Sequence, residues 1–127
     1  MVRLLISISL TLAVTSCTSQ TTYSNQAYIK NTCNQFITLT MRNASNFHSD
    51  VINFKLAPDD ILVVASYKSY GEHISKQIQD SYRLTVEDIN GVKITDGATF
   101  RNYLKLAKKS TSGHVRSWLI TNSGICP

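Results

Sequence analysis

Nothing in this chain is long and apolar enough to cross a bilayer. Its one extended hydrophobic run, residues 4–14, falls well short of the roughly 20 residues that a spanning helix needs. Acidic side chains are scarce, 8 against 13 basic ones. There is no GxSxG, HExxH, SxxK or P-loop pattern, so the common local signatures of hydrolases, zinc proteases and nucleotide enzymes are missing. There is no CxxC pair, which removes the usual redox motif and zinc knuckle. No DxDxDG-type loop supports calcium binding. His48, His73 and His114 are scattered without ligand spacing, and Asp59-Asp60 and Glu87-Asp88 fall where turn residues solvate a chain reversal. No repeat or low-complexity stretch occurs. These absences point away from an enzyme, a metal or a cofactor. Ser, His and Asp are all present, and a triad can assemble from distant positions, so a small hydrolase stands as one alternative reading.

What is present begins at the N-terminus. Met1-Val2-Arg3 is basic, the run to Val14 is apolar but for Ser and Thr, and small residues follow. That is the pattern of a secretory signal peptide over residues 1–16. The run ends in Val14-Thr15-Ser16-Cys17, which resembles the lipobox of bacterial lipoproteins: an aliphatic residue, two small ones, then the cysteine that is acylated and becomes the first residue. Val14 stands where many lipoboxes have Leu. The resemblance implies lipidation at Cys17, a membrane held through acyl chains, and a place in the cell envelope. Two or three chains at about 0.8 kcal/mol per buried methylene make such an anchor essentially permanent. Thr18 is not the Asp that retains lipoproteins in the inner membrane, which implies the outer membrane, on its periplasmic side or surface, if the cell is Gram-negative.

With Cys17 assigned to lipid, Cys33 and Cys126 remain. An exported chain sits in an oxidising compartment, so these two are expected to form a disulfide. Removing Arg3 with the leader leaves 12 basic against 8 acidic side chains. Much of the excess is late: Lys93, Arg101, Lys105, Lys108, Lys109 and Arg116 face only Asp96. A basic face can meet anionic headgroups, an acidic glycan or an acidic partner, or can simply be solvated.

Residues 18–26 (TSQTTYSNQ) are polar and lack an apolar period, so residues 17–26 read as a lipidated N-terminus and flexible tether. Residues 27–127 then read as one domain. Strands are predicted over 27–32, 35–42, 51–56, 61–67, 82–87, 92–95 and 115–121 from alternation and β-branched content. Ile52, Phe54 and Leu56 would share one face, and 61–67 suits a strand buried on both faces. Asn90-Gly91 is the clearest hairpin signal. Residues 69–81 read as irregular with a helical turn. Asp96 can cap a helix whose Phe100, Tyr103, Leu104 and Ala107 fall at helical spacing, with a basic opposite face. Residues 110–113 read as a loop. About seven short strands and one short late helix predict a mainly β domain. An antiparallel sandwich is favoured over a small barrel, and an immunoglobulin-like topology falls within that class although the Cys-Trp-Cys spacing is absent.

For contact with a partner, residues 66–71 (SYKSYG) concentrate tyrosines, which offer contact area at low entropic cost. Tyr67 and Tyr70, with Arg101 and Lys105 on the basic helix face, are the candidate contact residues. The functional expectation is a noncatalytic lipid-anchored module that binds or assembles with another envelope protein. The alternative is an inhibitor or immunity lipoprotein that blocks a wall-degrading enzyme. Export excludes a nucleic-acid partner.

Overall fold

The computed structural model describes residues 21–45 and 51–127, so Cys17 and the first part of the expected tether lie outside the described residues. The described chain contains β1 (Tyr23–Lys30), β2 (Ile37–Arg42), β3 (Ile52–Leu56), β4 (Ile61–Ser69), α1 (Ile74–Gln77), β5 (Arg83–Asp88), β6 (Gly91–Asp96), α2 (Gly97–Leu106), β7 (Lys108–Ser112) and β8 (Val115–Ile120). A short 3-10 turn, Ser123–Ile125, follows.

Period-two alternation builds the layers. Every second residue of β1, β2 and β5 is buried, as a strand with one covered face requires. Ala27, Ile29, Trp118 and Ile120 face inward from one sheet, and Ile37, Leu39, Met41, Leu84 and Val86 from the other. The sheets have strand orders β4-β1-β8-β7 and β3-β2-β5-β6. This is the expected sandwich, with no closed barrel among the described residues. One pair is parallel: β1 runs alongside β8, with Ala27 opposite Trp118 and Ile29 opposite Ile120. The two ends of the chain are tied once more by a Cys33–Cys126 disulfide with a Cα–Cα distance of 5.7 Å.

Several expectations are corrected. β1 starts at Tyr23, so residues 23–26 belong to a sheet and not to a tether. Their polar composition hides the strand because Asn25, although fully buried, is satisfied by side chains from elsewhere in the chain. β7 takes up residues 110–112 of the expected loop. Its five residues are all exposed because it is an edge strand, and lysines there discourage edge-to-edge association. β4 is not buried on both faces. It is also an edge strand, with Ile61 exposed and Leu62 and Val63 half-buried. A register shift at Ala27/Tyr28 accompanies the inward turn of both Val64 and Ala65. In β3, Ile52 and Phe54 do lie opposite Met41 and Leu39, yet Phe54 is 46% exposed, and only Leu56 is buried at that edge.

α2 forms where its cap and period predict. The Asp96 carboxylate accepts from the Thr99 N–H at 2.8 Å, and those hydrogen bonds hold its pKa below the usual carboxylate value. Phe100 and Leu104 are buried. The Phe100 ring packs on Tyr82 with centroids 4.5 Å apart, and the Tyr82 hydroxyl donates to the Val64 carbonyl of the opposite sheet at 3.0 Å. The helix thus closes one flank of the sandwich. α1 is the single turn expected in residues 69–81, with Ile74 and Ile78 buried and Tyr70 outside it.

Candidate functional site: a basic groove beside the late helix

The last turn of α2 points Leu104 inward and Lys105 outward. The chain then reverses into β7, which sets Lys109 directly opposite Trp118 of β8. From the other side, the start of α1 brings His73 and Ser75. These six residues line a groove of about 170 Å³. Leu104 and Trp118, both nearly buried, form its apolar floor. No carboxylate lines it, and neither lysine has an ion-pair partner among the described residues. Lys105 makes only a long 3.4 Å contact to the Asn102 side-chain oxygen.

Two ammonium groups offer donors, beside an imidazole and a hydroxyl, and no carboxylate lines the groove. Chemically the groove can hold an anionic group. Its volume of about 170 Å³ has room for a carboxylate or a phosphate with some of the group that carries it.

The four candidate contact residues separate. Lys105 is in the groove. Tyr70 is 68% exposed, in the loop after β4, and does not line it. Arg101 is already engaged: its guanidinium donates to the Ile78 carbonyl at 2.8 Å and pairs with Asp80 at 2.6 Å. It therefore braces α2 against the chain leading into β5. Tyr67 is corrected from contact residue to core residue. It is 4% exposed, because β4 continues to Ser69 and keeps its ring on the inner face, and its hydroxyl donates to the Asn43 carbonyl at 2.6 Å.

Burial pushes the Tyr67 hydroxyl up to about 12 from 10. Above pH 10 the unfolded chain therefore releases this proton before the folded chain does, so stability is complete below pH 10 and falls as pH rises toward 12. A Tyr67→Phe variant is expected to lose less stability than wild type across that window in urea titrations. Identical slopes would contradict the assignment.

His73, Ser75 and Trp118 are not among the sequence candidates, and Lys109 is there only as part of a general basic face. The signal that could have found them is the β7–β8 register, which needs residues 108–112 to be recognised as a strand. His73 itself is positioned by a second cluster. Arg116 donates from Nε to the Asn25 side-chain oxygen at 2.8 Å and from its terminal nitrogen to the Glu72 carbonyl at 2.7 Å. Asn25 Nδ2 lies 2.8 Å from both the Glu72 carbonyl and the Gln77 side-chain oxygen. The Tyr23 ring stacks beneath the guanidinium at 4.4 Å. Strands β1 and β8 thereby hold the 69–73 segment and α1 in place. Among the described residues no group of three metal-ligating side chains gathers.

No family model matches this chain, and no curated protein or solved structure matches it.

Proposed function

We propose that this is a noncatalytic, lipid-anchored protein of the bacterial envelope that binds another envelope protein through an acidic group seated in the groove. The lipobox-like Val14-Thr15-Ser16-Cys17 supports the anchor. A disulfide between Cys33 and Cys126 suits an oxidising compartment. The observation that carries the contact is the pair Lys105 and Lys109 beside Trp118, with no carboxylate lining the groove and no ion pair to either lysine among the described residues. Two like charges at one cleft repel, and an incoming carboxylate relieves that repulsion while fixing orientation.

Photocross-linking in cells from a photoreactive residue at Ser75 tests this. A discrete partner band is expected, and Lys105→Glu with Lys109→Glu should weaken it by about tenfold or more, as charge reversal at a complementary interface does. A wild-type protein that gives no discrete band would sink the binding-module reading. A band that proves to be a wall hydrolase would move the protein to the inhibitor class.

A further inference from the structure

We infer that the end of the sandwich where β1 begins rests on the anionic headgroup surface of the membrane that carries the anchor. The inference takes lipidation at Cys17 from the proposal above and adds an orientation and a ligand, anionic phospholipid. It begins with chain length. Six peptide steps separate Cys17 from Tyr23, a reach of at most about 20 Å and a typical span of about 13 Å if flexible. Tyr23 is already fixed in the sheet opposite Ser69, and Ser24 lies opposite Val115. The anchored end therefore carries the 69–73 loop and the β7–β8 turn. Arg42 and Arg83 of the other sheet share that end, because the Tyr67 hydroxyl reaches the Asn43 carbonyl there. The opposite end, with the disulfide, lies a strand length away, about 23 Å for the eight residues of β1.

Charge divides along the same axis. The anchored end holds Arg42, Lys76, Arg83, Arg101 and Arg116 together with Lys68, against Glu72, Asp80 and Asp96. Asp80 and Arg101 offset each other, and Asp96, although it caps α2, keeps its charge. The far half holds Lys30, Lys55, Lys93 and Lys108 against Asp59, Asp60, Glu87 and Asp88, with Lys105 and Lys109 between, so among the described residues the positive excess is largest at the anchored end. At physiological salt a surface potential decays over about 8 Å, so the near end feels the headgroups and the far end does not. The tether supplies a high local concentration, and weak attraction then suffices to set orientation. Tyr70 projects from the same end with an apolar ring and a polar tip, the combination that settles at the headgroup level.

The test uses the full lipidated protein in vesicles, with flotation and amide hydrogen exchange measured together. One vesicle is phosphatidylcholine alone; the other contains about one-third phosphatidylglycerol. Exchange in residues 69–73 and 112–115 is expected to slow roughly threefold or more in the anionic vesicle and to recover in about 0.5 M salt. Residues 31–36 at the far end should not change. Arg42→Glu with Lys76→Glu, two exposed positions, should abolish the difference. A protein that floats with both vesicles yet exchanges alike in each overturns the orientation and leaves the anchor standing. A protein that does not float overturns both.

Discussion

Replacing Cys126 with serine is expected to lower the unfolding free energy by about 4 kcal/mol, through the freedom that the unfolded chain regains. The bond spans 93 residues of sequence, nearly the whole described domain, and loop-closure entropy grows with span. The folded state loses less, because the chain ends stay paired through the six-residue β1–β8 ladder. Domains of this size have only about 5–15 kcal/mol in hand, so the variant should melt about 20 °C lower. Urea titration of oxidised wild type, reduced wild type and Cys126→Ser checks this. The last two should agree, since both remove the same cross-link. A difference from oxidised wild type below about 1 kcal/mol would mean that the unfolded chain already holds its ends together.

The expected pairing rested on counting: one cysteine for lipid, two left over. Its agreement with the structure shows which kind of information sequence carries well. Local rules did likewise. The alternation in residues 35–42 and 82–87, the Asn90-Gly91 turn and the Asp96 cap each depend on neighbours a few residues away, and each gives an element, within one or two residues of the expected bounds. Gly91 has φ +141°, a conformation that side chains other than glycine resist. What could not be read depends on distant partners. Asn25 looks like a linker residue until Ser69, Glu72, Gln77 and Arg116 close around it. Gly97 looks like an ordinary helix opener, yet a Cβ there would lie 2.0 Å from the Gln79 carbonyl oxygen. Only the packed structure shows that close approach.

The candidate site was legible by face and not by neighbour. Arg101 and Lys105 were grouped because they are four apart on one helix face. Asp80, which comes from the chain before β5, intercepts Arg101 and leaves Lys105 free to line the groove. Tyr67 and Tyr70 were grouped because they are close in sequence. Strand alternation separates them: Tyr67 remains within the β4 ladder opposite Asn25, and Tyr70 lies just past its end. In sequence Lys109 is one more cation, because its place opposite Trp118 is set by a strand whose composition is wholly polar.

Phe100→Ala is expected to cost about 4 kcal/mol, the range for emptying a fully buried aromatic site. Phe100 is fully buried, and its ring lies against Tyr82, itself fully buried and bonded across the core to Val64. The site cannot collapse readily, because Tyr82 is held from both ends, by its backbone N–H on the Gln79 carbonyl just before β5 and by its hydroxyl. Tyr82→Phe should cost less, about 1–3 kcal/mol, by leaving the buried Val64 carbonyl short of a donor. The two changes should not add, because emptying the Phe100 site lets the Tyr82 ring shift and weakens the same hydroxyl bond to Val64 that Tyr82→Phe removes. Leu106→Ala, on the same helix but 79% exposed, should stay within about 0.5 kcal/mol. The consequence for binding follows from position. Phe100 lies one turn before Leu104 and Lys105, so it sets how α2 presents the groove. Phe100→Ala should reduce cross-linking from Ser75 at temperatures where the domain is still folded, with exchange in residues 97–106 faster than in the sheets. If capture falls only in step with global unfolding, α2 moves with the core as one unit. The groove is then as rigid as the sandwich that carries it.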